Sequence, residues 1–288
     1  LRSGKNTCQL THSRLNQCST DAARAEKGIE MQIYDLYPKN EQIIIDQMNK
    51  LFIEWKKYLN GQLINGYSVS DLVFDGFYPY YTNQKIKMLY IGRESLGISG
   101  SNYLDILYGA YKCNRVANKS INLVTNSFHN LMFYITYGIV NDFIEWNSIP
   151  CASKLTDSFA TINGISFATI NISKYSNEAN EWKSDWNLIH HFAKTTSLAN
   201  TNFYNRQIEL IDPDIIIGMN MFNYYKFIGQ LNLLERMENI DVYTIKIGDH
   251  EKLFLDTFHF SAPSKHGSPE FYYYPIIKAI QKYYTKKT

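Results

Sequence analysis

The chain has 288 residues, 45% hydrophobic and 19% charged, which excludes a disordered polar chain and allows one large domain. A net charge of +2 excludes a strong general affinity for polyanions, so any contact with nucleic acid needs a local basic face. The four cysteines, Cys8, Cys18, Cys113 and Cys151, form no CxxC pair, which argues against zinc or iron–sulfur sites and fits reduced thiols in a cytoplasmic protein. Residues 1–30 are polar and lack any helical or strand period, so they read as a leader or disordered tail, with residues 31–288 as a single domain. Over 42–59 the apolar residues Ile43, Ile44, Met48, Leu51, Phe52, Trp55 and Leu59 recur at helical spacing and predict an amphipathic helix. Four apolar runs read as strands: 87–92 (KMLYIG), 165–171 (ISFATIN), 214–220 (DIIIGMN) and 254–260 (FLDTFHF). The second and third have the continuous or β-branched character of strands buried on both faces. A fifth run, 242–247 (VYTIKI), is a further candidate. Helices are predicted over 127–146, 186–203, 222–237 and 275–284. Strands alternating with helices imply an α/β fold, three-layer α/β/α, with a central, mainly parallel four-stranded sheet. No run reaches the roughly 18 apolar residues of a membrane span, so no membrane partner is expected.

Ligands of open parallel sheets bind beyond the carboxyl ends of the strands. The residues there are Gly92-Arg93-Glu94-Ser95-Leu96-Gly97, Asn171-Ile172-Ser173-Lys174, and His259-Phe260-Ser261 followed by 262–267. A carboxylate, an amide and an imidazole at three separate strand ends are expected to meet at one rim. Each has a plainer reading: a tight turn for Gly92 and Gly97, a helix cap for Glu94, a satisfied turn for Asn171, a core histidine for His259. The 23 tyrosines and 16 phenylalanines fit an aromatic core, with stacking platforms for bases or sugars as the functional alternative. Lys278, Lys282, Lys286 and Lys287 offer a basic patch that a solvated helix end explains as well.

In their order along the chain these motifs resemble the uracil-DNA glycosylase superfamily over roughly residues 70–284. Gly92-Arg93-Glu94-Ser95-Leu96 stands where the best-known branch has GQDPY. Phe167-Ala168-Thr169-Ile170-Asn171 matches the central strand that ends in a base-reading Asn. His259-Phe260-Ser261 matches the late HPSP motif and its minor-groove loop, and 210–217 (LIDPDIII) resembles a strand before it. The sequence departs from that pattern at Glu94 (Asp in that branch), Ser95 (Pro) and Phe260 (Pro), and it lacks the four-cysteine cluster of some branches.

The resemblance implies a base-excision DNA glycosylase, a cytoplasmic hydrolase acting on uracil or another deaminated base flipped from single- or double-stranded DNA, working as a monomer without cofactor or metal. Asn171 would read the base edge, with Gly92, Arg93 and Ser95 around the substrate. Glu94 would stabilise the sugar cation or orient water, and His259 would donate to the leaving base. Ser261, Ser264, Lys265 and His266 would hold DNA phosphates. Tyr103 and Phe128 are candidates for the aromatic on which the base stacks. Two alternatives stay open: a catalytically inactive module that binds nucleic acid or a nucleotide, and an unrelated doubly wound α/β protein in which Asn171 and His259 lie apart.

Overall fold

The computed structural model describes residues 33–62, 64–113, 127–179, 183–262 and 269–284. The run at 1–30, and with it the leader or tail reading, lies outside them. Among the described residues the chain forms helix α1 (Lys39–Leu59), strands β1 (Gly76–Phe77) and β2 (Met88–Gly92), helices α2 (Tyr103–Cys113), α3 (Ser127–Val140) and α4 (Ala152–Ser158), then strand β3 (Ala168–Asn171). Helices α5 (Trp186–Ser197) and α6 (Phe203–Ile211) lead to strand β4 (Ile215–Met219) and the single turn of helix α7 (Phe222–Tyr225). Strands β5 (Gln230–Met237), β6 (Ile240–Ile247) and β7 (His250–Thr257) and helix α8 (Tyr273–Tyr283) follow.

The fold is α/β, but the sheet has seven strands in the order β1-β3-β2-β4-β7-β6-β5 rather than four. Parallel pairing is confined to β3, β2, β4 and β7. β1 joins one side antiparallel, and β5 and β6 extend the other as an antiparallel wing. β1 escapes sequence reading because two residues carry no period. The predicted helix over 222–237 is overturned: it holds only the turn α7, and then β5. There the apolar residues Leu231, Leu233 and Leu234 fit a helix as well as a bulged strand. The predicted helix over 186–203 is two helices. Asn202 caps the second by accepting the Asn205 N–H at 3.0 Å, which breaks the run. The last strand ends at Thr257, two residues before His259. Cys151 is disulfide-bonded, contrary to the expected reduced thiols, because spacing in sequence does not reveal which sulfurs meet in space.

Every residue of β2, β3 and β4 is buried, as continuous apolar strands covered on both faces must be. Tyr90, Thr169, Ile217 and Leu255 align on one face; Ile91, Ile170, Gly218 and Asp256 align on the other. On the first face the Tyr90 hydroxyl meets Thr136 of α3 at 2.8 Å. On the second, Phe254 packs edge-on against Tyr225 of α7 at 4.6 Å. Helices thus cover both faces. α1 packs along α6 through Trp55 stacked on Phe203 at 5.2 Å. The chain passes from β2 to β3 on one side and then returns to β4 on the other, so strand order reverses about β2. That reversal opens a crevice at the carboxyl ends of these strands.

Candidate active site at the strand ends

Gly92 and Asn171 are register partners at the ends of β2 and β3. Gly92 is required by close approach: a Cβ there would overlap Asn171 Oδ1. The ladder continues past the strands. The N–H groups of Ile172, Ser173 and Asn177 donate to the carbonyls of Gly92, Arg93 and Ser95 at 3.0, 2.9 and 2.8 Å. Gly97 N–H returns to Asn177 O at 3.0 Å, so that donor is not available to a ligand. The two loops are thereby held as one rigid rim. Asn171 is only 4% exposed, and its backbone N–H donates to Asp75 Oδ2 at 2.8 Å. Its side-chain amide has no hydrogen-bond partner among the described residues.

Beneath Asn171 lies a charged pair absent from the sequence reading. Lys174 Nζ donates to both carboxylate oxygens of Asp75, at 2.7 and 2.8 Å, with both side chains buried. Gln207 Nε2 adds a bond to Asp75 Oδ1 at 2.8 Å. Lys174 also sits over the Trp55 ring at 5.6 Å. Burial pulls the Lys174 pKa below the usual lysine value, opposed by the Asp75 charge. The available signal was Lys174 itself, a lone cation three residues after a buried strand.

On the other loop, Glu94 Oε1 accepts the Asp185 N–H at 2.9 Å, while Oε2 is buried and unpartnered. Burial raises the Glu94 pKa, opposed by that N–H and by the Arg93 charge. The Arg93 guanidinium lies 4.7 Å above the Trp186 ring and donates to Ser184 Oγ at 3.3 Å. Arg93 Nε and Ser95 Oγ are buried without partners, and so is Thr257 Oγ1 at the end of β7. With Glu94 Oε2 these are four of the eight buried polar side-chain atoms without a partner among the described residues; Tyr78, Tyr81, Tyr175 and Gln207 carry the others.

His259 Nδ1 receives the Ser261 backbone N–H at 3.3 Å and faces Ser261 Oγ at 2.7 Å. A backbone N–H can only donate, so Nδ1 is the acceptor and the ring proton sits on Nε2. Burial and the Arg93 charge hold the His259 pKa down to about 3, leaving a neutral donor at physiological pH. Arg93 acts electrostatically on both Glu94 and His259, which sets these three residues in one neighbourhood. Phe260, at the position of the motif proline, packs against Tyr90 and Tyr272 and anchors the turn. The Tyr272 hydroxyl fastens it further, donating to His259 O at 2.9 Å.

Phe128 stacks on His259 at 5.3 Å, whereas Tyr103 is buried in α2. Ser261 is engaged with His259, and Ser264, Lys265 and His266 lie outside the described residues. Sequence reading also missed Asp256. It accepts the Asn220 N–H and the Tyr225 hydroxyl at 2.8 and 2.7 Å, and burial raises its pKa. Among the described residues no cluster of three or more His, Cys, Asp or Glu could hold a metal ion, and no helix is long and apolar enough to cross a membrane. No protein-family model, curated protein or solved structure matches the chain.

Proposed function

We propose that this chain is a DNA glycosylase that hydrolyses the N-glycosidic bond of uracil or another deaminated base, in the manner of the uracil-DNA glycosylases its motifs resemble. The observation that carries the reading is Asn171: a buried amide, unpartnered, laid against a glycine at the end of a parallel strand. One carbonyl and two N–H groups are free there to meet a base edge that offers both acceptor and donor. An unsatisfied amide in such a place costs stability unless a ligand completes it.

The chemistry follows from the neighbours. The bond from C1′ to the base nitrogen breaks, its electron pair leaves with the base, and positive charge develops on the sugar. The carboxylate of Glu94, with Oε2 unpartnered, stabilises that charge and orients a water. The water oxygen bonds to C1′ and its proton passes to solvent or to the departing base. His259, neutral with its proton on Nε2, donates a hydrogen bond to the base oxygen as negative charge gathers there. Ser261 and the segment carrying Ser264, Lys265 and His266 are assigned to the DNA backbone.

A second reading, binding without cleavage, is favoured by one observation: burial biases Glu94 toward its protonated form, which does not stabilise a cation. The deciding experiment is base release from oligonucleotides carrying uracil, hypoxanthine or xanthine, by wild type, Glu94→Gln and His259→Ala. Release lost in both variants supports the glycosylase. Absence of release from every substrate, with binding unchanged by Glu94→Gln, replaces it with the binding module.

A further inference from the structure

A neutral imidazole serves as a donor only if its N–H is held in one direction. The ring turns about its Cβ–Cγ bond between opposed orientations that exchange Nδ1 with Cδ2 and Nε2 with Cε1. Which nitrogen carries the proton follows from what the other one meets. His259 lies two residues past the end of β7, so the strand does not fix its ring.

Contacts on several sides fix it instead. The Tyr272 hydroxyl and the Ala262 N–H both donate to its backbone carbonyl, at 2.9 and 2.8 Å. Ser261 holds Nδ1 from its backbone N–H and its hydroxyl. Phe128 covers a face of the ring, 5.3 Å between centres and 28° between planes. Among the described residues Nε2 has no hydrogen-bond partner.

Phe128 is itself held in place. It lies in the first turn of α3, next to His129, which is buried against the Tyr111 hydroxyl of α2 at 2.8 Å. Further along α3, Thr136 bonds to Tyr90 of β2 at 2.8 Å, so the helix is tied both to its neighbour and to the sheet. The Phe128 ring makes edge-on contacts with His129 at 5.0 Å and with Phe260 at 6.4 Å. A half-turn of the imidazole about Cβ–Cγ must pass through a perpendicular state. A fixed ring laid nearly parallel to it leaves no room for that state. The same ring shields the imidazole from water, and burial is the largest cause of its lowered pKa. The face that Phe128 lays on His259 is not open to a base.

We propose that Phe128 is a positioning residue for His259, barring the half-turn of the imidazole so that the Nε2–H stays the group presented to the departing base. The donation to that base rests on the glycosylase reading; the orientation of the ring does not.

The test reads the ring directly, by nitrogen NMR of the full chain carrying isotope-labelled histidine, with the His259 signals identified by their loss in His259→Ala. Wild type is expected to show one tautomer, protonated on Nε2, that does not titrate between about pH 8 and pH 5. Phe128→Ala should mix the tautomers and move the titration up toward the ordinary histidine value, while Phe128→Tyr keeps the wild-type signals. Phe128→Leu fills the volume without a flat face and is expected to fall between them. It keeps the question answerable if circular dichroism shows Phe128→Ala unfolded. In base release Phe128→Ala should lower kcat by roughly 10-fold with KM little changed, because the donor acts as charge gathers on the leaving base, and Phe128→Tyr should restore it. His259 signals unchanged in the folded alanine and leucine variants would overturn the proposal whatever the activity. A raised KM with kcat and the His259 signals intact would also overturn it, and would make Phe128 a base platform instead. A tautomer that loosens as expected in a chain that releases no base leaves the positioning standing and removes the glycosylase.

Discussion

Two polar clusters lie within a few residues of each other at the carboxyl ends of the parallel strands, and the fold treats them oppositely. Asp75 and Lys174 are both fully buried and almost completely satisfied: the carboxylate takes the lysine on both oxygens, the Asn171 N–H and Gln207. Ser95 and Thr257 are also buried and Arg93 and Glu94 half-buried, yet each keeps a buried polar atom without a partner. A satisfied network rigidifies what rests on it; an unsatisfied one stores affinity for something outside the chain. The first cluster is therefore the foundation and the second the working surface, with Asn171 joined to both: its backbone to Asp75, its amide to the open side.

That contrast breaks most visibly if the foundation is removed. Lys174→Met leaves the Asp75 carboxylate buried and uncompensated, and is expected to lower the unfolding free energy by about 3–5 kcal/mol in urea titrations. The double variant Asp75→Asn, Lys174→Met removes both charges and is expected to recover most of that loss. A double variant no better than the single would show that the pair acts through shape rather than charge.

On the working surface the expected losses fall on turnover instead. His259→Ala removes one donor to the leaving base and should slow base release by roughly 10²–10³-fold, with little change in the melting temperature. Gly92→Ala drives a methyl into Asn171 Oδ1 and should weaken base release while also destabilising the chain by about 1–3 kcal/mol through overpacking. Comparing the two variants separates loss of chemistry from loss of geometry.

The histidines sharpen the contrast through pH. His129, buried in α3 and bonded to Tyr111 at 2.8 Å, has a pKa depressed to about 3 by burial, as does His259. In the unfolded chain a histidine titrates near 6.5, so the unfolded state gains protons first as pH falls. The stability these neutral rings contribute is present above about pH 6.5 and declines below it, continuing toward pH 3. The slope approaches about 1.4 kcal/mol per pH unit for each histidine. Thermal melts between pH 7 and 4 check this, and His129→Asn should flatten the slope.

The smallest expected effect has the opposite sign. Glu94 has its folded pKa raised by burial, so ionisation weakens the fold above the ordinary carboxylate range. Glu94→Gln should therefore stabilise the chain at pH 7.5 and leave it unchanged near pH 3, as thermal melts at the two pH values would show. Base release should meanwhile be lost. In the wild type, release should fall as pH drops through the raised Glu94 pKa, because the carboxylate is the working form.

Much of this arrangement is legible in the amino-acid sequence. β2 and β4 announce themselves because strands buried on both faces must be apolar throughout, and α1 because Met48, Phe52, Trp55 and Leu59 must share one buried stripe. Glu94, Asn171 and His259 could be singled out because strand ends are where α/β sheets expose polar groups. The antiparallel wing was not legible: β5 is mostly exposed at the sheet edge, and so lacks the burial that writes a period into sequence.

What the residues determined by themselves is local: which segments are buried strands, which helices carry an apolar stripe, and which polar side chains follow a strand end. Each of those follows from burial acting on a few consecutive residues. Only the tertiary structure decided that Asp75 reaches Lys174 across 99 residues and that Glu94 holds the N–H of Asp185 across 91. It also decided that Arg93 meets the Trp186 ring. Such pairings depend on where the chain returns to the sheet, and no local period encodes that return.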